Sequence, residues 1–223
     1  MREVVLDTET TGLSPDDGHR IIEIGCIELV NHLPSGQQFH SLFNPGREVP
    51  LAATEIHGLK TEDLSDMPSF NERATDFMAF IKDAPLVIHN AQFDVNFLNA
   101  ELGMINLPLL DMNQTVDTLI LARKKFPGSP ASLDALCKRF SIDNSARDKH
   151  SALLDADLLA QVYIELVGGR QANLGLSNAA AEEVVSDPAK PTKRRWAPHS
   201  PTAAERDQHR ALLSKLTDPV WMA

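Results

Sequence analysis

Residues 7–12 read Asp-Thr-Glu-Thr-Thr-Gly and directly follow the apolar run Val4-Val5-Leu6. Side chains on an extended chain alternate faces, so Asp7 and Glu9 point the same way. Two carboxylates this close repel each other unless a cation lies between them. Two further acids sit near expected helix starts. Asp94 follows His89-Asn90, in a first turn that favours an anionic side chain, and Asp155 lies early in the last long apolar-periodic segment. Four carboxylates without a thiolate suit Mg²⁺ or Mn²⁺ better than zinc. Two such ions about 4 Å apart activate water and stabilise a departing oxygen, which is the chemistry of phosphodiester hydrolysis. His150 precedes Asp155 by five positions. On one continuous helix that offset leaves the two side chains roughly 140° apart. With Ser151 as the N-cap, His150 lies instead on a polar loop with Asp148 and Lys149. From there a histidine can act as general base for the attacking water.

The elements that must carry these groups follow from periodicity and turn residues. The first 44 residues predict three strands, Glu3–Asp7, Arg20–Val30 and Gln38–Phe43, in an antiparallel meander. Short connections containing Gly12, Pro15 and Gly18, and then Pro34 and Gly36, join them. A helix is expected at about Ser69–Lys82, opened by a Ser69/Glu72 capping box, with Phe70, Ala74, Phe77, Met78 and Ile81 on one face. Pro85–His89 reads as a fourth, fully apolar strand. Asn90 is the expected N-cap of a helix carrying Phe93, Phe97, Leu98 and Leu102. Further helices are expected near Val116–Lys125, from Ser129-Pro130 through Phe140, and from about Ala152 to Val167, where Gly168-Gly169 stops the helix. Strands first, then strand alternating with helices, predicts an α/β domain with a mixed sheet flanked by helices.

With 223 residues, 43% of them hydrophobic, the chain suits one ordinary domain plus an extension. No run of 18 apolar residues exists, and no basic then apolar leader precedes the first strand, so neither a membrane span nor a signal peptide is expected. Cys26 and Cys137 sit in apolar-periodic segments without metal-like spacing, as buried thiols of a reducing, cytoplasmic protein would. The net charge of −10 is uneven: residues 1–170 hold 14 basic and 25 acidic side chains, and residues 171–223 hold 7 and 6. An acidic domain gains little from counterion release. If it handles nucleic acid, metals must supply positive charge and another protein must supply the grip. Residues 170–201 lack a sustained apolar period and read as a flexible linker. A second box, Thr202 with Glu205, opens a helix rich in Leu212, Leu213 and Leu216 near Trp221. One such helix is marginal alone, and its apolar end suggests a docking segment over 202–223.

Three segments together resemble a known family. Asp-Thr-Glu-Thr-Thr-Gly at 7–12, His-Asn-Ala-x-Phe-Asp at 89–94 and His-x-Ala-Leu-x-Asp-Ala at 150–156 match, in order and spacing, the exonuclease motifs of the DEDDh superfamily. Within it the chain is similar to the proofreading epsilon-subunit family of bacterial DNA polymerase III. The resemblance covers about residues 2–170 and implies an RNase H-like fold with a mixed five-stranded sheet. It also implies 3′→5′ exonuclease activity on mismatched DNA ends and two divalent ions, Mg²⁺ or Mn²⁺. Carried over by motif position, Asp7, Glu9, Asp94 and Asp155 become metal ligands and His150 the base. Asp7, Glu9, Asp155, His57 of Ile56-His57-Gly58-Leu59, Asn90 and Phe93 become contacts to the single-stranded 3′ terminus. Ser151 stands where many relatives have glycine. In the tail, Gln171, Leu174 and Leu176 resemble a sliding-clamp peptide. The Thr202–Trp221 segment resembles the part that docks on the polymerase catalytic (alpha) subunit.

Each feature alone has a plainer reading. Asp-x-Glu at a strand end is most often a solvated turn, Asp94 a first-turn helix acid, Asp155 an ordinary helix acid and His150 a surface loop histidine. Helix capping and packing suffice for Asn90 and Phe93, and His57 could be a turn residue. Asp117 reads as structural, and Lys193-Arg194-Arg195 as a solvated run. The coincidence of three motifs on the expected strand, helix start and helix is what outweighs these readings. An RNA-trimming enzyme of the same superfamily is the competing activity, against which the docking extension argues. A non-catalytic scaffold is the competing class, against which the full ligand set argues. A tyrosine-based subtype would need an aspartate four residues after the only tyrosine, Tyr163, and none is there.

Overall fold

The computed structural model describes residues 1–168 and 200–215. The chain falls into two units, Met1–Leu174 and Gly175–Ala223. The first is built on a five-stranded sheet in the order β3-β2-β1-β4-β5. β1 (Arg2–Thr10), β2 (Ile21–Val30) and β3 (Leu33–Leu42) form the expected antiparallel meander. The second connection differs from expectation. Asn31 and His32 make the turn, with φ of 53° and 62°, the left-handed pair that a two-residue hairpin needs to match strand twist. Pro34 therefore lies inside β3, opposite Leu29. It is tolerated because β3 is an edge strand, where one row of N–H groups has no partner to supply.

Two short segments, α1 (Leu51–His57) and α2 (Thr61–Leu64), precede the first long helix, α3 (Phe70–Ile81). Ser69 opens α3, and the Glu72 carboxylate accepts its backbone N–H at 2.7 Å and its hydroxyl at 2.8 Å. β4 (Leu86–Ile88) then pairs in parallel with β1 and with β5 (Thr115–Asp117). α4 (Ala91–Met104) connects them, and α5 (Thr118–Lys125) follows at once. The first residues of the expected 116–125 helix are thus a strand: Val116 and Asp117 pair with Val87 and Ile88, and tertiary pairing overrides a local pattern too short to distinguish helix from strand. α6 (Leu133–Phe140) starts later than expected, because the Ser132 hydroxyl, rather than Ser129-Pro130, accepts the N–H of the first turn, at 3.3 Å from Ala135. α7 (Ala152–Leu166) begins after Ser151.

Alternation along β1 sorts the core into two layers. Val4 and Leu6 pack with Phe70, Phe77, Phe97 and Leu98 of α3 and α4. Val5 packs on the other face with Leu136, Leu158, Leu159 and Val162 of α6 and α7. Cys26 and Cys137 are free and buried, one in each layer. β1 pairs with β4 at Val4 and Val5 and runs on beside β2 to Thr10, carrying Asp7 and Glu9 past the end of β4.

In the second unit, Thr202 accepts the Glu205 N–H at 3.3 Å and Glu205 accepts the Thr202 N–H at 2.7 Å. This reciprocal box opens α8 (Ala203–Leu213), with Leu212 exposed and Leu213 buried. All but the last two residues of the expected 170–201 linker lie outside the described residues, as do Gln171, Leu174, Leu176, Leu216 and Trp221. No helix among the described residues is long and apolar enough to cross a membrane.

Candidate active site

Asp7 and Glu9 lie on the α7 face of β1, opposite Gly25 and Glu23 of β2. The helix can come close here because Gly25 has no side chain: a Cβ would sit 2.3 Å from the backbone of Ala152 and Leu153. That approach sets the first turn of α7, and with it Asp155, over the strand. Thr8 faces the opposite layer, where its hydroxyl donates to Asp94 Oδ1 of α4 at 2.7 Å. One strand therefore holds two carboxylates directly and steers a third through the residue between them.

Asn90 precedes α4 as expected, but it caps by a different means. It sits in the left-handed region at φ 66°, and its side chain makes no capping bond. Asp117 does that work from the end of β5. Its carboxylate accepts the N–H groups of Asn90 (3.3 Å) and Ala91 (3.1 Å), and also those of Leu119 (2.8 Å) and Ile120 (3.2 Å). One acid thus satisfies the open ends of α4 and α5 together, the structural role that its sequence context suggests.

His150 occupies the loop before α7, with its side chain 45% exposed. Its Nδ1 lies 3.3 Å from Asp155 Oδ2 and 4.0 Å from Glu9 Oε1. Ligand atoms of Glu9, His150 and Asp155 all fall within 4.8 Å of one another. The loop is tied to α1 at two points: the His150 N–H donates to the Ile56 carbonyl at 3.2 Å and Lys149 Nζ to that of Glu55 at 2.6 Å. Ser151 does not cap α7 with its side chain. Its hydroxyl donates to Glu23 at 3.0 Å, and His40 bonds the same oxygen at 2.8 Å.

Asp7, Glu9, Asn90, Phe93, Asp94, His150 and Asp155 line one cleft of about 640 Å³. A second, more apolar cleft of about 590 Å³ shares Thr8, Glu9 and Phe93 with it and adds Ala53, Ile56 and His57. His57 is 6% exposed. Its Nδ1 accepts the Leu59 N–H at 3.0 Å, so the proton of the neutral ring sits on Nε2, which is buried without a partner. Burial lowers the His57 pKa and keeps the ring neutral. The ring thus borders that cleft with a buried donor that has no partner.

The electrostatics explain why the acids demand a cation. Burial first, then repulsion from Asp94, Glu9 and Asp155, raises the Asp7 pKa well above the ordinary carboxylate value. Burial, with Asp155, Glu23 and Asp94 behind it, pushes Glu9 up to about 8. Burial takes Asp94 to about 7 despite the Thr8 hydrogen bond. These groups ionise fully at neutral pH only when positive charge is brought among them. Hard carboxylate oxygens in a cluster of this kind fit divalent Mg²⁺-like ions by donor chemistry.

Three residues of the site escape the motif reading. Arg147 is 8% exposed and grips both oxygens of Asp155, at 2.5 and 2.6 Å. It also reaches Asp134 at 2.7 Å and His150 Nδ1 at 3.0 Å. Its signal was an arginine three residues before the histidine in a loop otherwise read as merely polar. Thr8 and Gly25 are the others. Thr8 could be found by asking what the alternate face of β1 touches, whereas nothing local marks Gly25.

The family model described as "Exonuclease" matches residues 4–163. A relative from Rickettsia conorii named DNA polymerase III subunit epsilon is 47% identical over 226 residues, covering 97% of this chain and 96% of its own. The Escherichia coli protein of that name is 47% identical over 176 residues, 76% of this chain and 72% of its own. Among solved structures, the nuclease domain of 3′hExo, a DEDDh family member bound to rAMP, superposes with a TM-score of 0.62 at 19% identity. It covers 75% of this chain and 92% of its own. Exonuclease X in complex with 5′ overhanging duplex DNA gives 0.58 at 24% identity, covering 74% and 91%. These structural likenesses bear on the fold, which is the RNase H-like arrangement that the motifs imply. By the match over most of its length and its identity to the epsilon subunits, the chain belongs to the exonuclease family.

Proposed function

We propose that this exonuclease is the proofreading subunit of a bacterial replicative DNA polymerase, removing mismatched nucleotides from DNA 3′ ends with two Mg²⁺ or Mn²⁺ ions. The observation that carries the reading is the gathering of Asp7, Glu9, Asp94 and Asp155 with His150 in one cleft beside a pocket lined by His57 and Phe93. The four carboxylates would hold the ions. When bound, such ions supply Lewis acidity to the attacking water and to the leaving 3′ oxygen.

The side chains divide the remaining tasks. His150, on an exposed loop, takes the proton of the water that attacks the terminal phosphorus. The bond from phosphorus to the 3′ oxygen breaks, that oxygen regains a proton, and a nucleoside 5′-monophosphate leaves. His57, once its buried Nε2–H turns to the cleft, would hydrogen-bond the terminal nucleotide, whose base would lie against Phe93 and Ile56. Asn90 borders the same cleft. DNA grip comes from elsewhere, since the domain is acidic.

Identity to epsilon subunits along nearly the whole chain supports a polymerase partner, as does the capped α8. The organisation we propose is an exonuclease domain over 1–169, a linker over 170–201 and a segment over 202–223 that docks on the polymerase alpha subunit. Gln171, Leu174 and Leu176 would meet the sliding clamp, Leu212, Leu213, Leu216 and Trp221 the polymerase, and the complex would work in the cytoplasm. The test is release of nucleoside 5′-monophosphate from a primer with a mismatched 3′ end, in Mg²⁺ or Mn²⁺. DNA-selective release abolished by Asp7→Ala supports the reading. No release, or preference for an RNA end, would overturn it.

A further inference from the structure

Arg147 is the only basic side chain among the described residues that touches both an expected metal ligand and the expected base. Its Nε and Nη2 each take one oxygen of Asp155, and Nη2 also lies 3.0 Å from His150 Nδ1. A guanidinium only donates. The His150 Nδ1 lone pair is therefore occupied by Arg147, and the ring proton resides on Nε2. Nη1 holds Asp134 at 2.7 Å, and Asp134 is 59% exposed. Asn144 donates to the same Asp134 oxygen at 3.0 Å. Arg147 thus has a second anchor at the rim of the cleft that is independent of Asp155.

We propose that Arg147 is a latch that competes with divalent cations for Asp155 and at the same time covers the lone pair of His150. The proposal rests on the two-ion reading of the same carboxylates. A bidentate guanidinium is a fixed positive charge held against one ligand of the cluster. Bringing a cation to Asp155 puts like charges together unless the fork lets go. Release toward Asp134 would free the Asp155 oxygens and uncover Nδ1 in one movement. Metal loading and exposure of the base are then a single event, so water is not activated before the ions are in place. The opposite role is also chemically reasonable for an arginine beside a ligand: holding the carboxylate in its binding orientation. The two roles predict opposite signs when the fork is removed.

The test is Mn²⁺ titration of the full chain by calorimetry, comparing wild type with Arg147→Gln, alongside thermal unfolding without divalent ions. The latch predicts Mn²⁺ binding tighter by about tenfold in Arg147→Gln, together with a lower Tm before metal is added, because Asp155 loses its counter-charge. Arg147→Lys keeps the charge but loses the fork; it guards against misfolding of the first variant and should tighten binding several-fold. A second readout is the ¹⁵N spectrum of His150. Mg²⁺ should shift its Nδ1 signal in the wild type and leave it nearly unchanged in Arg147→Gln. Unchanged or weaker Mn²⁺ binding in both variants would overturn the latch alone. No Mn²⁺ binding to the wild type would overturn the two-ion reading and the latch with it.

Discussion

Asp94 and Asp155 are both buried acids in the first turn of a helix, 3% and 2% exposed, yet they live in opposite surroundings. On the strand side, Asp94 receives a neutral hydroxyl from Thr8 and shares the cleft with Asp7 and Glu9. On the loop side, Asp155 is met by the guanidinium of Arg147 with His150 beside it. The strand side accumulates negative charge that Arg147 offsets only in part: burial raises Asp7, Glu9 and Asp94, and repulsion from neighbouring carboxylates adds to it at Asp7 and Glu9. The loop side carries its own cation and the group that moves protons. The strand side is thus a rigid anion cage that asks for ions, and the loop side decides when ions and base are available.

The largest break of this contrast is Asp7→Asn. It should lower kcat by on the order of 10⁴-fold, while raising the Tm of the metal-free protein, since a neutral amide relieves both burial and repulsion. Loss of activity with an unchanged or lower Tm would mean the strand side is not under electrostatic strain. His150→Gln probes the loop side. It should reduce kcat by about 10³-fold, within the range of a lost general base, and leave Mn²⁺ affinity within a few-fold of wild type by calorimetry. A large loss of affinity would reassign His150 as a ligand.

Gly25→Ala tests how the two sides are brought together. The added methyl meets the backbone of Ala152 and Leu153, so α7 must move out and carry Asp155 and His150 away from Asp7. Overpacking should cost about 1–3 kcal/mol, and misplacement by an ångström about 10²-fold in rate. Normal kinetics would show that α7 is not held at that point.

The smallest effect is in pH dependence, and its sign is specific. Glu9 and Asp94 bind protons more tightly in the fold than when unfolded, with pKa values near 8 and 7 against 4.5 and 3.8. Where the native state holds more protons, stability falls as pH rises. Metal-free protein should therefore be most stable below about pH 4 to 4.5 with respect to these groups, and lose Tm up to about pH 8. Divalent ions bind the ionised form, so their gain in Tm should be larger at pH 8 than at pH 6. A flat or rising metal-free profile across that window would contradict the strand-side picture.

How far the chain could be read in advance follows the same division. The pincer of Asp7 and Glu9 was legible because the apolar run Val4-Val5-Leu6 marks a strand, although β1 runs on to Thr10, past the expected end at Asp7, and α3 because its capping box and apolar face agree. The three-residue β5 was not, since a strand that short exists only through its pairing with β4. The β2–β3 turn was misread because Pro34 and Gly36 are stronger turn formers than Asn31-His32, and only the edge position of β3 makes them compatible with a strand. Asn90 was placed correctly at the start of α4, but its side chain does not cap, since the Asp117 carboxylate that does so comes from 27 residues away. The short helices α1 and α2 have too few turns to leave a periodic signal. Arg147 was passed over because an arginine three residues before the histidine does not by itself reveal its reach to Asp155 across the first turn of α7.

Crystals soaked in Mn²⁺ and examined by anomalous scattering test the central claim most directly. The account predicts two peaks in the cleft, within about 2.0–2.6 Å of carboxylate oxygens of Asp7, Glu9, Asp94 and Asp155, with the Arg147 guanidinium turned from Asp155 toward Asp134. No peak among these four carboxylates, or ions bound elsewhere with Arg147 still on both Asp155 oxygens, would contradict it.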